Sequence, residues 1–213
     1  MNRHESEDIE VTYDPRRCIH AAECVRGLRS VFDPNRKPWI DPSAAPAGAI
    51  AEVISRCPTG ALHFQRRDGG PNEAPSPNTI VPAENGPLYL RGQVVVENND
   101  GAAIGRDTRM ALCRCGASRH KPYCDGMHEK VGFEAPGCAN PQAPDPHVAA
   151  ADDSDLTIHV VPNGPLLVSG AYEFRPHEEA SETREGGAFC RCGASSNKPF
   201  CDGTHKKIDF VAE

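Results

Sequence analysis

Ten cysteines and nine histidines are spread over 213 residues, and eight of these side chains fall into two sets with one spacing. Cys113, Cys115, Cys124 and His128 occupy positions 1, 3, 12 and 16 of one segment, and Cys190, Cys192, Cys201 and His205 the same positions of another. Four soft ligands so close in sequence can surround a metal centre with little help from secondary structure. Thiolate and imidazole together suit zinc or iron–sulfur chemistry. Structural zinc favours about two to four residues between paired cysteines, whereas these pairs enclose one. Thiolates from so tight a loop suit an iron–sulfur cluster, and a histidine on one iron has a chemical parallel in Rieske centres. A pair of Cys3His zinc knuckles is the alternative.

The two segments read CRCGASRHKPYCDGMH (113–128) and CRCGASSNKPFCDGTH (190–205), identical at twelve of sixteen positions. The likeness extends outwards to Asn85-Gly86-Pro87-Leu88 and Asn163-Gly164-Pro165-Leu166, and to Phe133 and Phe210. Asp125 and Asp202 follow the third cysteine, where a carboxylate can cap a short helix running towards the histidine. Gly126 and Gly203 would let that backbone come close and aim N–H groups at an anionic cluster. Pro122 and Pro199 stiffen the approach to the third cysteine. With Ser118 and Ser195 in place, C-x-C-x2-S-x3-P-x-C-D-G-x-H resembles the CDGSH (mitoNEET-like) iron–sulfur domain family. Met127 stands where that family usually has serine, alanine or threonine. The resemblance implies a 2Fe–2S cluster in each motif, held by three cysteines and one histidine. Single-motif relatives are strand-swapped dimers under a shared β-cap. A chain with two motifs is therefore expected to build that cap internally, from residues 88–97 and 156–174.

Cys18 and Cys24 lie in CIHAAEC, and Cys57 in CPTGAL. A cysteine loop completed by a remote Cys-Pro is the bacterial ferredoxin arrangement. Ala21 occupies the middle position of the loop and brings no metal-binding atom. Three thiolates can hold a 3Fe–4S cube with one corner missing; alternatively His20, one residue from the vacant place, is the fourth ligand of a 4Fe–4S cluster. The C-x2-A-x2-C register, a simple ligand loss, favours 3Fe–4S. From about Ile9 to Gln65 the chain resembles a divergent single-cluster ferredoxin domain family, often 4Fe–4S. Cys138 reads as a bystander thiol. His4, His63, His120, His147, His159 and His177 match no motif and read as surface residues.

The elements that must position these ligands are small. Glycine and proline number 19 and 20 and aromatics make up 6% of the chain, a poor recipe for one large core, so metal staples are expected. Stretches without apolar periodicity at 68–79 and 137–155 separate three segments, 1–67, 80–136 and 156–213. Short apolar runs predict strands at Ile9–Tyr13, Leu62–Gln65, Leu88–Arg91, Val94–Glu97, Leu156–Val161 and Leu166–Ser169. Ile50, Val53 and Ile54 predict an amphipathic helix over Ala47–Arg56, with Trp39 packed against it.

The net charge is −7, and residues 137–213 hold twelve acidic against six basic side chains. Asp152, Asp153 and Asp155, and Glu178, Glu179, Glu182 and Glu185, read as solvated loops. No basic stripe invites nucleic acid. No run approaches the ~18 apolar residues of a membrane span. The acidic N-terminus has no signal-peptide core, so ten cysteines in a reducing cytoplasm read as ligands rather than disulfides. No G-x-S-x-G, H-E-x-x-H, Walker loop or dinucleotide fingerprint is present, so no enzyme is expected.

The expectation is an α+β chain: a ferredoxin-like domain, then two CDGSH units forming an internal pseudo-dimer with a β-cap and two cluster-binding loops, monomeric overall. Its expected role is soluble electron transfer through two 2Fe–2S clusters and one 3Fe–4S cluster, with a reductase or acceptor protein as partner. The competing role is a cluster donor to an apo-acceptor, or a redox or pH sensor.

Overall fold

Alternation places Ile9 and Val11 on the buried side of a strand, and the structure builds its first sheet around them. The computed structural model describes residues 1–138, 155–176 and 180–212. Residues 139–154, with most of the expected linker and His147, Asp152 and Asp153, lie outside the described residues, as do His177, Glu178 and Glu179. Two compact units are present, Met1–Ala74 and Pro75–Glu213.

In the first unit β1 (Asn2–Glu5), β2 (Ile9–Tyr13) and β3 (Leu62–Arg66) form an antiparallel sheet in that order. β1 is polar and mostly exposed, so no apolar pattern announced it. The short helix α1 (Glu23–Gly27) carries Cys24. Helix α2 (Ala47–Ser55) turns Ala47, Ile50, Ala51, Val53 and Ile54 inward, the face its apolar spacing predicts. Pairing of Tyr13 with Leu62, continued by Asp14 N–H donating to Ala61 O at 2.8 Å, brings the Cys57 loop alongside the end of β2. Trp39 packs against the core that α2 helps form, edge-on to Tyr13 at 4.9 Å and tilted against Phe32.

The second unit is nearly all β, and the chain is mostly β with few helices, which corrects the α+β expectation. Its strands are β4 (Thr79–Pro82), β5 (Leu88–Glu97), β6 (Ala103–Leu112), β7 (Leu156–Val160), β8 (Leu166–Phe174) and β9 (Glu182–Phe189); its one α-helix among the described residues is α3 (Met127–Lys130). The two runs expected in 88–97 are one strand with a register shift between Arg91 and Val94. β4 pairs with β5 and β8, and β7 pairs with β5 and β8, so four strands close a small barrel with β6 and β9 attached.

The register repeats. Ile80 faces Leu90 and Ile158 faces Val168, the same antiparallel pairing made once in each repeat. Ile80 lies parallel to Phe174 and Ile158 parallel to Val96, and here too the two pairings occupy equivalent places. Each repeat thus lends its first strand to the other repeat's hairpin. One core results, joining Ile80, Leu88, Leu90, Met110 and Leu112 to Ile158, Val168, Phe174, Phe189 and Phe200. Burying that apolar surface is what favours the crossed arrangement over two separate hairpins.

Candidate metal centres

In the first repeat the chain leaves β6 at Leu112, directly before Cys113, and an isolated bridge between Leu112 and Tyr123 folds the loop back. Ser118 locks the loop: its Oγ donates to Tyr123 O at 2.7 Å and accepts from His120 N–H at 3.0 Å. Ser195 does the same with Phe200 O and Asn197 N–H. Lys121-Pro122 and Lys198-Pro199 are cis. Lys121 and Lys198 Nζ donate to Ser118 and Ser195 carbonyls.

The aspartates brace both sides of the third cysteine. Asp125 accepts from Arg119 N–H at 2.9 Å and Met127 N–H at 3.1 Å. Asp202 accepts from Ser196 N–H and Oγ, and from Thr204 N–H. These bonds outweigh burial and hold both carboxyls below the usual carboxylate range. The expected helix after Asp125 is α3; after Asp202 it is a 3-10 turn, Thr204–Lys206. The residue at the cap itself is Gly126 or Gly203, both at φ 82°. A Cβ on Gly203 would meet nothing within 4 Å, so the left-handed backbone, rather than close approach, is what asks for glycine there.

These braces arrange the four ligand-type side chains two and two. Cys113 Sγ lies 3.7 Å from Cys115 Sγ, and Cys124 Sγ lies 3.3 Å from His128 Nδ1. The second repeat matches at 3.6 Å for Cys190 and Cys192 and 3.3 Å for Cys201 and His205. Among the described residues no three Cys, His, Asp or Glu side chains converge on the place of a single ion. Two pairs suit two irons, each taking two protein ligands, better than one tetrahedral zinc. Amide donors already point at sulfur: Ala117 N–H to Cys115, Gly126 N–H to Cys124 and Gly203 N–H to Cys201, at 3.4–3.5 Å. In each Cys-x-Cys pair one thiol keeps a shared proton while the other ionises more easily, Cys115 at about 7 and Cys190 at about 6. Burial pushes Cys124 up to about 12 and also raises Cys201. Burial lowers both His128 and His205, favouring the neutral ring that a metal needs.

In the first unit Cys18, Cys24 and Cys57 line one cavity of about 30 Å³, together with Ala21, Glu23, Tyr13, Trp39 and Thr59. Burial, and then the Cys57 thiol nearby, raises Cys24 to about 11. The loop between Cys18 and Cys24 turns through left-handed backbone at His20 and Ala22, φ 59° and 61°. His20 is exposed and lines a larger adjoining cleft of about 800 Å³, which Cys18 and Cys24 also line, together with Arg3, Arg36, Lys37 and Trp39. Ala21 faces the three thiols; His20 is not among the residues of their cavity. Cys138 belongs to neither group.

Sequence reasoning missed Arg114 and Arg191, the residues inside the Cys-x-Cys pairs. Both are buried, at 3% and 1% exposure. Their identity within CRC in both repeats was the available signal.

Comparison with known proteins agrees with this division. Residues 4–67 match the family described as Divergent 4Fe-4S mono-cluster. Residues 85–129 and 163–206 match the family described as Iron-binding zinc finger CDGSH type. The chain is similar to uncharacterized protein YjdI of Escherichia coli (strain K12), 38% identical over 61 residues that make up 29% of this chain and 80% of that protein. Its counterpart in Escherichia coli O157:H7 matches to the same extent. No solved structure matches. With the cysteine–histidine motifs, their braces and the family models falling on the same segments, the chain belongs to the CDGSH iron-binding family through two tandem domains and, through its first segment, to the divergent 4Fe-4S mono-cluster family.

Proposed function

We propose that this protein is an electron carrier that holds two 2Fe–2S clusters and one 3Fe–4S cluster. The observation that carries the reading is the two-and-two grouping of ligands, Cys113 with Cys115 and Cys124 with His128, repeated at Cys190, Cys192, Cys201 and His205. When bound, such clusters accept and release single electrons without bond making at the protein. The chain's own residues hold them, aim amide donors at sulfur and keep the histidines neutral. Ala21 at the three-thiol cavity supports the 3Fe–4S assignment over a His20-ligated 4Fe–4S cluster.

The crossed pairing of β4 with β8 and β7 with β5, in one register, supports an internal pseudo-dimer and a monomeric chain. For a partner protein, the cleft beside Cys18 and Cys24 carries exposed Lys37 together with Arg3 and Arg36, which pair with Glu10 and Asp41 outside its lining. It suits the acidic face of a reductase or acceptor. A second reading, cluster donation to an apo-acceptor, is favoured by His205, which is less buried than His128.

The test is composition followed by transfer. Anaerobically purified protein should be brown, contain about seven irons and eight labile sulfides per chain, and lack zinc. Stoichiometric zinc without sulfide overturns the reading. Mixed with an apo-acceptor and a redox acceptor, a carrier passes electrons and keeps its iron; a donor loses iron.

A further inference from the structure

A guanidinium cannot shed its charge at ordinary pH, so burying one calls for a counter-charge. Arg191 is buried, but its Nε donates to Gly164 O at 2.8 Å and its Nη2 to Val161 O at 2.6 Å and Ala212 O at 3.2 Å. Arg114, its equivalent, is far less well served. Its Nη2 donates to Pro136 O at 3.3 Å, while Nε and Nη1 are buried with no hydrogen-bond partner. An aromatic neighbour, Phe133, lies 5.6 Å from the guanidinium carbon. No acidic side chain ion-pairs with it among the described residues.

The loop that carries Arg114 brings the cysteine motifs of both repeats together. Arg114 sits between Cys113 and Cys115 in sequence, and the isolated antiparallel bridge Cys115–Cys192 joins its loop to the other repeat's cysteine loop. The contact is close: a Cβ on Gly116 would stand 2.6 Å from Cys192 O, and one on Gly193 would stand 2.6 Å from Cys115 O. Electrostatically, Arg114 acts on His128 of its own motif, and Cys190 of the other motif acts on Arg114. Arg191 and Cys113 stand in the reciprocal relation. Three thiolates and a neutral imidazole around two irons carry net negative charge, which grows by one on reduction. An orphaned buried cation beside those ligands fits such a group.

We propose that Arg114 is a buried counter-charge shared between the two cluster sites of the second unit, raising the electron affinity of the opposite repeat's site as well as its own. This rests on the reading that each motif holds a 2Fe–2S cluster, and makes Arg114 a positioning residue for charge rather than a ligand. A full charge acting through a partly buried path alters an equilibrium on the order of tenfold. Arg191, neutralised in part by three carbonyl dipoles, should do less.

The test is potentiometry on the full chain, in a His205→Cys background that makes the second repeat's cluster spectroscopically distinct. Arg114→Gln should leave iron and sulfide content unchanged, yet weaken electron uptake at that second site about tenfold, about 59 mV for one electron. Arg114→Lys, which keeps the charge, should restore most of the loss. Arg191→Gln should move either site less than Arg114→Gln does. An unchanged second-site potential in Arg114→Gln overturns the proposal, as does an Arg114→Lys that behaves like Arg114→Gln. Should Arg114→Gln lose its clusters, the proposal then stands or falls on Arg114→Lys and Arg191→Gln at intact iron content. Absence of labile sulfide in the parent protein would instead remove the underlying cluster reading. A readout free of redox chemistry is denaturation of the metal-free chain. There Arg114→Gln should be more stable than the parent, because the uncompensated buried charge is gone; a less stable variant means the side chain serves packing alone.

Discussion

Cys115 and Cys192 face each other across an isolated antiparallel bridge, each the second cysteine of its own motif. They hold the same place in the two copies of the motif, so the bridge pairs a position with its own repeat. That one contact joins the two cysteine loops directly.

The glycines beside the bridge test it. Gly116 and Gly193 have φ of 77° and 84°, and a Cβ on either would meet the opposite loop's carbonyl. Gly116→Ala and Gly193→Ala should each cost about 2 kcal/mol or more, from left-handed strain plus the clash. That corresponds to a fall in Tm of roughly 4–8 °C. Calorimetry should find the two variants equal; tolerance of either shows the loops to be apart.

Crossed strands predict that half of the second unit is incomplete. A fragment of residues 75–136 keeps β4, β5 and β6 but leaves the β5 edge that β7 covers without its partner. It should dimerise or aggregate on gel filtration. A stable monomer that retains iron would show each repeat to be self-sufficient.

At the first unit, Ala21→Cys should restore the missing thiol at the cavity of Cys18, Cys24 and Cys57. Iron there should rise from about three to about four, with the matching change in electron paramagnetic resonance. His20→Ala should change neither. Loss of one iron in His20→Ala would make histidine the fourth ligand.

The cationic cleft predicts salt sensitivity. Electron exchange between the first unit and an acidic partner should slow between about 50 mM and about 500 mM salt, as the screening length shortens. Lys37→Glu, on the exposed rim, should slow it at low salt and flatten the salt dependence; rates indifferent to both would place docking elsewhere.

Acid should release the clusters through the histidines. Burial lowers both His128 and His205, and a ring bound to metal must stay neutral. A proton therefore favours the open, unliganded form: retention is full above the free value of about 6.5 and falls as pH drops through the lowered value. His205, the less buried, should yield its cluster at the higher pH. His128→Cys and His205→Cys should each slow loss at mildly acidic pH and lower the reduction potential, read as absorbance against time and by voltammetry. Equal loss rates at every pH in parent and variants would show the histidines are not ligands.

Much of this protein was legible in its residue order. The duplicated motif and the helix of Ile50, Val53 and Ile54 follow from local spacing, because they depend on neighbours within one or a few turns of chain. Strands β6 and β9 were not legible: β6 opens on exposed Ala103 and Ile104 and carries Arg106, Asp107 and Arg109 in its middle, and β9 opens on largely exposed, charged residues and turns glycine-rich near its end, so neither carries a period of two. The left-handed turns at His20 and Ala22 were also hidden, since neither is a glycine whose presence would announce them. Only the tertiary structure decided that Ile80 pairs with Phe174 and Val96 with Ile158, and that Cys115 meets Cys192. Those contacts join residues dozens of positions apart. Their register is chosen by the apolar core they enclose together and by the loss of Cβ at Gly116 and Gly193, which no short window of sequence contains.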